Sequence, residues 1–237
     1  MNALHSLLSY FAVDPEKALI CAQQSIAETP RELWIARILA RLFMAASLQM
    51  RGDTSQAYAA IYRGFEEEKT QTVRFKATLV MTVCHLHWMA ANLQGMAQTA
   101  KESIKLSQDA DMPEILNFAY FHLGQVCYQQ NDLAAAERHF ATVVQQPYLN
   151  YGDCYAHSAC GLALIHQNQG RPNEARAALE VASRFMLETG NTTLLRSCPA
   201  VRSRLFISAM NMTSTRPESV GKGLCFTTVV FNCPAMW

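Results

Sequence analysis

Glycine and proline are scarce in this 237-residue chain, at 10 and 8. A chain so poor in backbone breakers reads as helical, the more so because those few sit mostly at segment ends. Charge of one sign is missing as well: 20 basic against 19 acidic side chains leave a formal net charge of +1. That balance supplies no field for a polyanion, so neither direct nucleic-acid binding nor an anionic membrane surface is expected. No uncharged apolar run approaches the ~20 residues that span a bilayer, and no basic segment with an apolar core opens the chain. Eight cysteines are present without a CxxC. They read as reduced thiols of a soluble, cytoplasmic protein, where the sequon at Asn191 has no meaning. Half of the residues are hydrophobic, enough for a sizeable core.

What is present is a repeat. Ala18, Ala57, Ala97, Ala136 and Ala175 each follow a turn-like segment, at spacings of 39, 40, 39 and 39. Each period holds two helices. First helices are expected over 31–51, 72–91, 113–130 and 152–169, with a shortened one over 1–11. Second helices are expected over 14–28, 54–69, 94–110, 132–146 and 172–189. Asp14, Thr54 and Asp132 are candidate caps, and Pro15 and Pro172 suit a first turn. This is the pattern of an all-α, tetratricopeptide-like helical-repeat superhelix of about five helix-pair units. The period exceeds the ~34 residues of a plain tetratricopeptide repeat and approaches the HEAT/armadillo range. The Leu123-Gly124…Ala136…Phe140 arrangement favours the tetratricopeptide reading.

The anchor alanines let the second helix approach the first. Twelve residues earlier, Ala45, Gly124 and Ala163 supply the facing small residue, whereas His85 breaks the rule before Ala97. Phe140 and Leu179 are expected to fill the space between consecutive units. Positions offset −6, −3, +1 and +4 from the small site are expected to line a concave groove. The candidate binding residues on that face are Leu42, Gln49, Thr82, Met89, Phe118, Phe121, Gln125, Tyr128, His157 and Gln167. Apolar side chains, rings and amides suit a protein or peptide partner, or a small apolar ligand, better than a charged tail. Phe118, Phe121 and Tyr128, at i, i+3 and i+10, are expected at its centre. The competing reading is that longer helices close the groove and these residues simply pack together. Self-association is the remaining partner class.

No catalytic constellation, metal site or cofactor site is expected. In Cys84, His85 and His87 the two histidines point to different faces of one helix. The ends of Cys154-x2-His157-x2-Cys160 lie about 120° apart around a helix. Arg37 and Arg41 share a face and are read as surface residues, with an anion site as the sharper alternative. Glu66, Glu67 and Glu68 are read as a solvated helix end. The chain is therefore not expected to be an enzyme.

Phe121 to Phe140 (FHLGQVCYQQNDLAAAERHF) and Ala163 to Asn191 (ALIHQNQGRPNEARAALEVASRFMLETGN) resemble the tetratricopeptide-like sensor region of large bacterial regulators. These are the MalT-like, ATP-dependent LuxR-family signal-transduction ATPases. Pro30 to Glu68 and Leu79 to Met96 are similar to the same region, and the likeness covers about residues 14–198. The resemblance implies a nucleotide-binding switch before the array and a DNA-binding helix-turn-helix after it. Neither carries over: Gly221-Lys222 runs into Gly223 without a phosphate loop, and no basic recognition helix follows. The array is expected over 1–198 and an irregular tail, with the β-prone run Leu224 to Phe231, over 199–237. The functional expectation is a ligand- or protein-binding sensor module, a fragment lacking the ATPase and helix-turn-helix parts. Its rivals are a stand-alone scaffold and a truncated remnant.

Overall fold

Each helix pair is closed by the same five-residue device, which sets the register of everything else. In a computed structural model describing residues 2–67, 72–149 and 152–190, the peptide N–H of Asp14, Asp53, Asn92, Asp132 and Arg171 donates to the carbonyl five residues earlier, at 2.8–3.0 Å. The residue before each donor has positive φ: Val13, Gly52, Ala91, Asn131 and Gly170. These are Schellman-type closures, in which a left-handed residue ends one helix and the next residue opens another. The side chains of Asp14, Asn92 and Asp132 then accept from the backbone N–H three residues on, satisfying a donor that the helix start leaves open.

Ten α-helices result among the described residues: α1 (Asn2–Phe11), α2 (Pro15–Glu28), α3 (Trp34–Met50), α4 (Thr54–Glu67), α5 (Val73–Met89), α6 (Leu93–Ala110), α7 (Pro113–Gln129), α8 (Leu133–Val144), α9 (Gly152–Asn168) and α10 (Pro172–Thr189). A single 3-10 turn, Pro147–Leu149, precedes α9. The fold is an all-α, tetratricopeptide-like helical repeat, as the 39-residue period requires. The expected tail over 199–237 lies outside the described residues.

The turns correct one anchor. Four residues beyond the cap positions stand Ala18, Ala57, Met96, Ala136 and Ala175, each donating its N–H to the cap carbonyl, and each fully or almost fully buried. The third anchor is therefore Met96, not Ala97, which keeps partial exposure. The facing small residue is Cys84, whose thiol lies 3.6 Å from the Met96 carbonyl oxygen. His85 breaks no rule; it sits one place off the small site. A methionine in an alanine slot and an alanine in a glycine slot hide this repeat from a search for small residues.

The chain divides into two compact units, one ending at His122 and the other starting at Leu123, within α7. In the first unit α3 packs on α1, α2, α4 and α5, and α5 packs on α3, α4 and α6. α3 and α5 thus each touch both helices of the preceding pair and their own partner. The main core there is built from Leu19, Ile38, Leu48, Ile61, Phe75, Leu79 and Leu86 with their small neighbours. A second cluster of Tyr10, Ala18, Phe43 and Ala46 joins the first pair to α3. In the second unit α9 packs on α8 and α10. Phe140, wholly buried, fits between Gly124 and Gly161, and Leu179 is buried as expected.

Candidate functional site

The corrected register re-aims the first-helix face on α5. Counted from Cys84, the offsets that give Leu39, Leu42, Ala46 and Gln49 on α3 give Thr78, Met81, His85 and Trp88. Thr82 and Met89 are each one position off. Thr82 is fully buried, and its hydroxyl donates to the Thr78 carbonyl at 3.1 Å. Met89 is half-buried against core residues of two clusters. Met81, which takes the place of Thr82, is buried, and Trp88, which takes that of Met89, is half-buried with its ring centroid 5.2 Å from that of half-buried His85. The spacing of 39 from Asp53 to Asn92 is the sequence signal that would have found them.

Within the first unit, Leu42 is half-buried beside the Tyr10–Phe43 cluster. Gln49, also half-buried, holds its Oε1 out of solvent with no hydrogen-bond partner. Phe118 packs partly buried against Ala77, Met81, Met112 and Ile115. Its ring meets His122 edge-on at 4.4 Å and Phe121 at 6.3 Å, while Phe121 itself is buried. In the second unit Gln125 and His157 are buried, and Tyr128 and Gln167 are half-buried. Not one of the ten candidates is open to solvent as a groove floor would be. In the first unit the face is a half-covered strip, and Phe118 and Phe121 serve the core as much as the surface.

The helix-pair register, the buried anchors and the glycine-clamped ring agree with what the family comparison returns. A model of the MalT-like TPR region matches residues 1–217. The chain belongs to this family. No curated protein matches the chain.

Two further expectations change within this MalT-like TPR region. Arg37 and Arg41 are not surface residues. Arg37 donates through Nη1 to the carbonyls of Ile26, at 2.7 Å, and Thr29, at 2.9 Å, at the end of α2. Arg41, 2% exposed, donates to the Ala60 carbonyl at 3.4 Å and to the Glu67 carboxylate. Arg37 therefore serves the C-terminus of α2, where carbonyls lack partners, while Arg41 reaches a carbonyl within α4 and the carboxylate of its last residue. Glu67 is consequently an ion-pair partner rather than a merely solvated residue; Glu68 lies outside the described residues.

The candidate metal ligands are placed as well. His87 Nδ1 lies 2.8 Å from the Tyr58 hydroxyl and 3.3 Å from the Asn92 side-chain nitrogen. Among the described residues no group of three or more His, Cys, Asp or Glu side chains is placed to hold a metal ion. Burial pushes His157 down to about 3 and raises the Cys84 thiol far above its usual value. No helix among the described residues is long and apolar enough to cross a membrane.

At the α9–α10 turn of the TPR region, Arg171 joins Glu137 at 2.8 Å and Glu174 at 2.7 Å. Its hydrogen bond is the main cause holding the Glu137 carboxyl below its usual range. This clamp fastens α8 to the next turn and is a structural feature of the repeat.

Proposed function

We propose that this MalT-like TPR region is a non-catalytic sensor module of a cytoplasmic LuxR-type regulator, and that it takes a partner on its first-helix face. Repeat arrays stack so that one helix of each pair forms a continuous surface, and that surface is where such proteins bind. The observation that carries the reading is Gln49. Its Oε1 is buried and unpartnered, and an unsatisfied buried acceptor costs about 1–3 kcal/mol. Rotation of this half-buried amide toward a partner's N–H or O–H donor would relieve that cost, while Leu42, His85 and Trp88 would supply apolar and aromatic contact. This combination fits a peptide or small ligand that is mostly apolar with a donor group.

The test is a screen of the purified chain against peptide arrays and metabolite mixtures, repeated with Gln49→Leu and Trp88→Ala. Ligands lost in both variants at unchanged thermal stability support the strip as the site. Ligands retained at full affinity in both variants would place binding elsewhere.

A further inference from the structure

On the second-helix side of the first unit, α4, α5 and α6 enclose an open cleft of about 450 Å³. It is separate from the first-helix strip, because it uses the Val80, Val83 and His87 face of α5. Its volume is in the range of small-ligand sites. Val80 and Val83 contribute its apolar side chains from α5, and Tyr62 and Phe65 form an aromatic wall with ring centroids 6.2 Å apart and planes tilted by 34°. Tyr62 is 55% exposed, a large ring uncovered at the mouth of a cleft.

The electrostatics have one sign. Among the described residues, Glu102 is the only acidic or basic side chain in the lining besides His87, and it makes no ion pair. Arg63, the neighbour of Tyr62, directs its Nε to the Ala59 carbonyl at 3.4 Å. His87 adds no positive charge, for a geometric reason. Asn92 Oδ1 accepts from the Gly95 N–H at 2.9 Å, which leaves Asn92 Nδ2 as the atom facing His87 Nδ1. Nδ1 must then accept, so the ring is neutral with its proton on Nε2. Among the described lining residues an anion would meet a carboxylate without a compensating cation. A cation would meet a free carboxylate, an aromatic face and the side-chain carbonyls of Gln94 and Gln98.

Among cations, a planar one with several N–H donors matches this set. A guanidinium stacks on an aromatic ring and engages a carboxylate through two parallel hydrogen bonds. We propose that the α4–α5–α6 cleft is a guanidinium site, with the group stacked on Tyr62 and paired with Glu102. The guanidinium belongs either to a free alkylguanidine or to an arginine side chain of a peptide.

The experiment is calorimetric titration of the full chain at low ionic strength with two probes, ethylguanidinium and an end-capped tripeptide with a central arginine. Saturable binding of either probe, weakened about fivefold or more by Glu102→Gln and by Tyr62→Ala, is the expected result. Both side chains are exposed, so melting temperatures should stay unchanged. Tighter binding of the peptide assigns the site to a protein partner, and equal binding assigns it to a small molecule. Three results would overturn the proposal: no saturable binding of either probe, binding indifferent to both substitutions, or tetramethylammonium binding as well as ethylguanidinium. Trp88→Ala, which tests the first-helix strip, should leave guanidinium binding intact, so failure of one site is separable from failure of the other.

Discussion

The Phe140 ring lies so close to Gly124 that a Cβ there would come within 2.6 Å of its Cδ1; on the ring's other side a Cβ on Gly161 would come within 2.7 Å of Cε2. Both glycines sit on first helices, and Phe140 is the second-helix side chain between them. The ring is fully buried and has no free direction in which to retreat. Gly124→Ala and Gly161→Ala are each expected to lower stability by about 1–3 kcal/mol through overpacking. Urea unfolding measures this directly. Phe140→Leu placed in the Gly161→Ala background should recover part of the loss, since the smaller side chain makes room for the methyl. An unchanged midpoint for both single variants would mean the helices stand further apart than described.

The recurring turns make a prediction of opposite sign. Val13 (φ 60°) and Ala91 (φ 52°) occupy the left-handed position that Gly52 and Gly170 fill in equivalent turns. A residue with a Cβ pays about 1–2 kcal/mol there, and a β-branched one is a clear outlier. Glycine removes that strain but adds unfolded-state entropy of about 0.4–1 kcal/mol. Val13→Gly should therefore stabilise the chain by about 1 kcal/mol and Ala91→Gly by less. Gly52→Ala should destabilise it by about 1 kcal/mol. Thermal melts of the three variants test the sign; a destabilised Val13→Gly would count against the left-handed turn.

The same turns explain how far the sequence alone reaches. Four of the five anchors, the helix pairs and the interlocking role of Phe140 follow from spacing, because a buried small residue and a facing ring are simple steric demands. The third anchor does not follow, since Met96 fills a slot that elsewhere holds alanine. Only the capping chemistry of Asn92, aligned with Asp14, Asp53 and Asp132, carries the register through that repeat. The consequence is confined but functional: Thr82 and Met89 stand where Met81 and Trp88 belong. Arg37 and Arg41 are misread for another reason. Long basic side chains at i, i+4 look alike whether they face water or the carbonyls of a packed helix. Only tertiary placement separates the two.

Arg41 and Glu67 offer an asymmetric test. Arg41 is buried, while the Glu67 side chain is 45% exposed. Removing Glu67's charge leaves a buried cation without its counter-charge, whereas removing Arg41 releases a carboxylate that water can solvate. Glu67→Gln is therefore expected to cost more stability than Arg41→Met, by about 1 kcal/mol or more. Arg41→Lys should not restore the wild-type value, because an ammonium cannot span the Ala60 carbonyl and the carboxylate as a guanidinium does. Denaturation of the single and double variants gives the ordering, and a costlier Arg41→Met would reverse the argument.

Acid sensitivity should follow from His157. Burial lowers this imidazole from 6.5 to about 3 in the folded protein, while the unfolded chain keeps the ordinary value. As pH falls below 6.5, the unfolded state takes up a proton that the folded state refuses until about pH 3. Stability therefore decreases with falling pH across that window, and His157 makes no pH-dependent contribution above about pH 7. One such group adds a slope of up to about 1.4 kcal/mol per pH unit. Other histidines shifted the same way add to the total, so the informative quantity is a difference. Glu137 enters only near and below its unfolded value of 4.5, because its carboxyl is also held down in the fold. Between pH 6.5 and 5 the stability of His157→Asn should consequently fall less steeply than that of the wild type, whatever the substitution does to absolute stability. Chemical unfolding at several pH values in that interval measures both slopes. Equal slopes would mean that the folded His157 titrates at its normal value and that its ring is reached by water.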